Sequence, residues 1–212
     1  MNRLKDNALS RIKGRPFDGG EFTFPDNERN ALQIKNNNFY EHGTMHVNYT
    51  TYDGRRSQDY INPRTHSDIM LVGSEDDSDD GGDDQYWYAK VLKILSVDVR
   101  YVPTAEGQNT QEYRRMHFLL VRWYGRDMDR PGSWEKKRLH AVGFVPNEPS
   151  EDGNFNPPFG FLDPDLVLRR VHLIPAFAHG KTEELLPGRS LARPKGTGDA
   201  DWNVYYVNMC VQ

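Results

Sequence analysis

The chain has one cysteine, Cys210, among 212 residues. That excludes an intrachain disulfide and any zinc site built from cysteines, and it suits a reducing compartment, cytosol or nucleus. No run approaches the eighteen or so consecutive apolar residues of a membrane-spanning helix. The N-terminal Met1-Asn2-Arg3-Leu4-Lys5-Asp6 carries no apolar leader region. No phosphate-cradling glycine loop occurs, neither Walker A nor G-x-G-x-x-G, and Ser133 and Ser190 lack a nucleophile-elbow context. Hydrophobic residues are sparse at 36%, with a mean hydropathy of -0.83.

What is present is aromatic. Phe, Trp and Tyr make up 12% of the chain, which is not the composition of a disordered polypeptide. The reading is a small aromatic core with long polar loops, and 18 Gly with 13 Pro imply many turns and little helix. The net charge of -4 is unevenly spread. Seven carboxylates lie between Glu75 and Asp84, and without them the remainder is about +3. The acidic balance therefore belongs to one loop on a mildly basic body, so whole-chain charge does not argue against a nucleic-acid or histone-tail partner.

Two strand-like runs dominate the centre, Tyr86 to Leu95 and Met116 to Tyr124. In the first, the parity of the apolar residues shifts: Ala89 and Val91 share one face, Leu92 and Ile94 the other. A bulge or strong bend does that, and small barrels need such features at corners. In the second, Leu119, Val121 and Trp123 share a face, with Arg122 and Tyr124 opposite. Parity thus puts Trp123 in the core and leaves Tyr86, Tyr88 and Tyr124 as the open surface. Around these runs, residues 2–13 form a short helix with Leu4, Ala8, Leu9 and Ile12 near one face. Residues 45–52 alternate as a strand, Asp53-Gly54 and Asn62-Pro63-Arg64 are turns, and Ile69 to Val72 is a strand. Val142 to Val145 is another. Asp163-Pro164-Asp165 starts a brief helix to about Arg169, Val171 to Phe177 is a strand, and Thr182 to Leu186 one helical turn. The chain ends in a strand within Asp199 to Val211, which includes Cys210 as a buried thiol.

Tyr86-Trp87-Tyr88-Ala89-Lys90-Val91-Leu92-Lys93-Ile94 followed by Leu120-Val121-Arg122-Trp123-Tyr124 and Arg126 resembles the bromo-adjacent homology (BAH) domain. Its strands read "W/Y-x-A-K/R-V/I-x-x-I" and "V-x-W-F/Y-x-R". Longer stretches resemble the C-terminal region of proteins encoded by Plavaka-type, CACTA-like transposons of mushroom-forming fungi. They are Val47 to Asp53, Arg56, Gln58-Asp59, Ile61-Asn62-Pro63-Arg64-Thr65-His66, Ile69-Met70, Tyr86 to Ala89, Val121 to Trp123, Gly143-Phe144-Val145, Phe159 to Pro164, Val171 to Gly180 and Tyr205 to Met209. The second resemblance implies an accessory module of a transposase, or a host gene derived from one, without the cutting domain, acting in the nucleus.

The fold class expected is mainly β, a distorted BAH-like β-barrel with short helices and irregular N- and C-terminal extensions. Residues 1–44 form the N-terminal extension, 45–178 the barrel with a disordered acidic loop at 73–85, and 179–212 the C-terminal extension. The function expected is non-enzymatic, binding a histone tail, DNA or a transposase partner, with no cofactor. Tyr86, Tyr88, Trp123 and Tyr124 are the candidates for an aromatic cage around a methylated lysine. Arg55, Arg56, Arg64, Arg126, Lys136, Lys137 and Arg138, with Arg114 and Arg115, are the candidates for phosphate contacts. The alternatives are a purely structural module of a transposase complex and a metal-dependent enzyme using His42, His46 and Asp53. Residues four apart on a strand lie about 13 Å from each other, which works against that donor set.

Overall fold

The computed structural model describes residues 1–17, 22–73, 86–102, 112–127, 137–147, 157–186, 188, 190, 192–193 and 198–208. The acidic segment beyond Gly73, Lys136 and Cys210 lie outside them. The described chain is mainly β. Helix α1 (Asn2–Ile12) buries Leu4, Ala8 and Leu9 at the spacing the sequence predicts, and Gly14 closes it at φ +66. Residues 22–44, polar in sequence with scattered apolar anchors, supply a second helix, α2 (Asp26–Ala31), and strands β1 (Leu32–Ile34) and β2 (Tyr40–His42). The charged side chain on the buried face of α1 is Asp6. Its oxygens accept from Phe24 N at 3.1 Å and from Arg29 Nε and Nη2 at 2.7 Å each, which fastens α1 to α2.

Twelve further strands follow among the described residues: β3 (Met45–Thr50), β4 (Arg56–Ile61), β5 (Asp68–Val72), β6 (Tyr86–Tyr101), β7 (Arg114–Arg126), β8 (Ala141–Phe144), β9 (Phe159–Leu162), β10 (Val167–Arg170), β11 (His172–Pro175), β12 (Lys181–Thr182), β13 (Asp201–Trp202) and β14 (Tyr205–Asn208). Ten form one sheet in the order β10-β5-β6-β7-β8-β14-β11, with β1 and β2 also on β6, and β9 on β7. Residues before 45 and after 178 thus supply β1, β2 and β14 to the main sheet. The two ends of the sheet, β10 and β11, are separated in the chain by Val171 alone, whose amide donates to Asp68 O at 2.9 Å. No ladder pairs β10 with β11 among the described residues.

The parity shift in β6 is a bulge. Val91 pairs with Val121, but Lys93 pairs with Leu120, so Leu92 is the extra residue. The bulge returns both Val91 and Ile94 to the central core, where they meet Ile69, Leu71, Ala89, Leu119, Val121 and Leu162. Beyond it, Val97 and Val99 turn towards α1 and pack with Leu4, Leu9, Phe118 and Met116. A third cluster joins Tyr88, Tyr124, Val142, Phe144, Leu173 and Val207. The near halves of β6 and β7 are covered on both faces, and their far halves are covered on one, by α1. Gly143 is required where β8 passes the turn before β14, because a Cβ there would meet Asn203 O at 2.7 Å.

Two local expectations need correction. Asp163 does cap, its side chain accepting from Asp165 N at 3.2 Å with Pro164 next, but only a 3-10 turn Pro164–Leu166 follows. From Val167 the chain pairs with β5, and a β-branched residue with a ladder partner prefers that strand. Thr182 ends β12 and bonds to Glu184 N through its hydroxyl, so residues 183–186 form a turn and not a helical one.

Candidate functional site

The proposed aromatic quartet does not sit on one open face. Tyr88 is 1% exposed and Tyr124 7%, which corrects their expected position at the surface. Strand parity sets them opposite Trp123, as expected, but β8, β14 and β11 cover the face they point to, and these strands come from distant sequence. Tyr86 is half-buried against the same cluster, and Arg126 donates to its carbonyl at 3.1 Å. Trp123 packs on the central core but remains half-buried. Phe17 stacks on it at 6.1 Å and meets Trp87 edge-on at 5.7 Å. Trp87 and Phe17 are the rings that sequence reasoning missed. Trp87 shares parity with Ala89 and Val91, a signal that was legible.

An aromatic box does form, and the chain's own arginine fills it. Tyr124 stacks on Phe144 at 4.4 Å, and Tyr205 meets their edges at 5.7 and 5.8 Å. The guanidinium of Arg122, 1% exposed, lies 3.6 Å from the Phe144 centroid. Its Nη2 donates to Asp201 Oδ2 at 2.8 Å, and Arg193 Nη2 donates to the same oxygen at 2.9 Å. Arg122 Nε and Nη1 find no hydrogen-bond partner among the described residues, so the ring face stands in for one. Burial works to push the Asp201 carboxyl up, but hydrogen bonds from Arg122 and Arg193 prevail and hold it below its ordinary range. Tyr124 donates to Asp68 Oδ1 at 2.9 Å. Burial pushes the Asp68 carboxyl up, and burial, then Asp68, pushes the Tyr124 phenol well up. Tyr205 is pushed up to about 12 by burial and by Asp201. These groups hold β5, β7, β8 and β13 together; Arg122, Tyr124, Phe144 and Asp201 are buried, and Asp68, Arg193 and Tyr205 are half-buried.

The basic candidates are spread over several elements. Arg55 and Arg56 sit at the tip of the β3–β4 hairpin. Asp53-Gly54 turns the chain there as expected, with Gly54 at φ +78. The Arg55 side chain is 83% exposed and pairs with Asp53 at 3.0 Å. Beside it Tyr52 stands fully in solvent. Arg64 lies in the turn at the other end, where its amide donates to Asn62 Oδ1. Six register pairs separate the two ends, roughly 17 Å at strand rise. Arg126 is tied to Tyr86, and Lys137 and Arg138 are exposed just before β8. The outward side chains of the hairpin are polar: Gln58 Nε2 donates to Asn48 Oδ1 at 2.8 Å, His46 Nδ1 lies 2.7 Å from Gln58 Oε1, and Tyr60 meets His46 edge-on. The inward side is locked to β10. Asp59 Oδ2 accepts from Arg169 Nε at 2.7 Å and Arg170 N at 2.9 Å, and the Arg169 guanidinium lies 3.4 Å over Tyr49.

Between the hairpin and β6 opens a cleft of about 510 Å³, lined by His42, His46, His117, Met45, Ile94 and Asp165 among others. His42 Nε2 is 2.8 Å from Ser96 Oγ. His42 and His46 share this cleft, but Asp53 is at the hairpin tip with Arg55. Among the described residues no three His, Cys, Asp or Glu side chains converge in a way that could hold a metal ion. No helix among them is long and apolar enough to cross a membrane. No family model, curated protein or solved structure matches the chain.

Proposed function

We propose that this protein is a non-enzymatic nucleic-acid-interaction module that contacts duplex DNA through the β3–β4 ribbon. The observation that carries the reading is the ribbon itself. It is a two-stranded ladder of its own, outside the large sheet, with Arg55, Arg56 and Tyr52 exposed at its tip. Its outward amides are Asn48 and Gln58, and amide side chains are the ones that pair with adenine edges. A two-stranded β-ribbon is also of a size that the major groove admits. The lock of Asp59 and Arg169 on its inner side presents it as a rigid element. The histone-tail reading lacks an open ring set in the proposed quartet, since Tyr88 and Tyr124 are buried, and is not carried forward.

A BAH-like barrel is supported by the order of the sheet, whose two ends β10 and β11 follow one another in the chain, although no ladder joins them among the described residues. The resemblance to transposon-encoded proteins supports a module acting in the nucleus beside a transposase. The test is binding of a labelled duplex at graded salt. Arg55→Ala/Arg56→Ala should weaken it about tenfold or more at low salt and reduce the slope of log affinity against log salt by about 1.8, near 0.9 per lost phosphate contact. A wild-type protein with no salt-dependent duplex binding, or a variant indistinguishable from it, rejects the reading.

A further inference from the structure

The far half of β6 carries a second exposed surface that shares no residue with the ribbon. In register, Ser96 lies between Tyr40 on β2 and His117 on β7, Asp98 opposes Arg115, and Arg100 opposes Gln33 on β1. Directly paired residues point to the same side of a sheet, so these seven form one face. The opposite face, with Val97, Val99, Met116 and Phe118, is closed by α1. The face left open holds two tyrosines with solvent-exposed rings and a surplus of cations. Tyr40 is 43% exposed and Tyr113, just ahead of β7, is 38% exposed. The Arg115 guanidinium lies 4.9 Å from the Tyr40 centroid while bonding both oxygens of Asp98 at 2.9 and 3.2 Å. Arg100 lies 4.9 Å and Lys35 5.8 Å from the Tyr113 centroid. Three cations thus face one carboxylate. The exposed Asn36 and Asn37 follow Lys35 at φ +53 and +52.

We infer that this face of β1, β2, β6 and β7 binds single-stranded nucleic acid, with Tyr40 and Tyr113 as stacking platforms and Lys35, Arg100 and Arg115 on the phosphates. Bases in a duplex are already stacked on one another, so exposed rings give no advantage there. An unpaired strand offers both a π-face per base and a phosphate per step, and rings set among guanidinium groups match both. Ser96 and Arg100, which locate the two rings, are four residues apart on β6, about 13 Å, so the rings receive different nucleotides. An acidic peptide would satisfy the cations but leave the rings unused.

The experiment is fluorescence anisotropy with labelled 20-nucleotide oligothymidylate and oligouridylate, with poly-glutamate as competitor. Arg100→Ala/Arg115→Ala should lower the salt slope by about 1.4, near 0.7 per phosphate contact on a single strand. Tyr40→Ala and Tyr113→Ala should each weaken binding about tenfold, and Tyr40→Phe and Tyr113→Phe should retain it, since the phenyl face suffices for stacking. Lys181→Ala, an exposed cation on the separate β12–β13 ribbon, should stay within twofold. Thermal melts confirm that each variant is folded. The two oligonucleotides distinguish a DNA from an RNA ligand. No binding of either by the wild type, equal binding by the tyrosine variants, or full displacement by poly-glutamate at matched charge overturns the inference. The duplex assay with the Arg55/Arg56 variant reads out the ribbon separately, so either proposal can fail alone.

Discussion

At the scale of single residues, the carboxylate of Asp201 has the largest consequence. It is 6% exposed and holds two guanidinium groups, one of them the fully buried Arg122. Breaking a buried ion pair by removing one partner leaves an uncompensated charge. Asp201→Asn should therefore cost about 3–5 kcal/mol of unfolding free energy, measured by denaturant titration. The pH dependence follows from the lowered pKa of the carboxyl. Its contribution to stability is fully present above the unfolded-chain value of about 3.9 and is lost as pH falls through the lower folded value. Wild-type stability should decline below about pH 4 with a part that Asp201→Asn lacks. Asp68 runs the other way, because its folded pKa is raised. Its contribution is fully present below the unfolded value and is lost as pH rises through the folded one, so it softens the acid decline in both proteins. Equal acid limbs in wild type and variant would contradict the role given to Asp201.

At the scale of elements, the hairpin is held to the body by a polar lock and an apolar contact. The β3–β4 ladder belongs to neither edge of the large sheet; Met45 and Val47 pack on the central core, and Asp59 ties the hairpin to β10. Asp59→Ala removes a charged acceptor shared by Arg169 and Arg170 and should destabilise by roughly 1–3 kcal/mol. It should also speed proteolytic cleavage in the tip, residues 51–55, before the rest of the chain unfolds. Unchanged cleavage there would show that Met45 and Val47 alone position the ribbon. The strand at 45–52, the turn at Asp53-Gly54 and the parity shift in β6 were legible in the sequence, because turn chemistry and side-chain parity are local properties, whereas the return strand β4 was not among the expected elements. The direction of Tyr88 and Tyr124 was legible too, but what covers them was not. Their lid is β8, β14 and β11, each paired through contacts far apart in the chain.

At the scale of the whole molecule, charge is divided between a mildly basic body and one acidic stretch. Replacing the seven carboxylates from Glu75 to Asp84 by serine changes the net charge from -4 to +3. Long-range attraction for a polyanion then rises. The variant should bind duplex and single-stranded oligonucleotides more tightly at low salt, with the difference shrinking as salt screens it; a gel-shift titration at two ionic strengths reads this directly. Equal affinity would mean that the acidic stretch does not act on the binding faces.

The sequence by itself determined what depends on neighbours in the chain: a mainly β protein, the amphipathic α1, the tight turn at Asp53-Gly54, the parity shift at Leu92 and the opposition of Trp123 to Tyr124. Only the tertiary structure decided which faces remain open. It placed the distant Phe144, Asp201 and Tyr205 over Arg122 and Tyr124, closing the face where a cage was expected. It also set Tyr40, Arg100, Tyr113 and Arg115 side by side from three separate segments. Exposure is the outcome of what packs against a residue from elsewhere in the chain, and no periodicity within a strand carries that information.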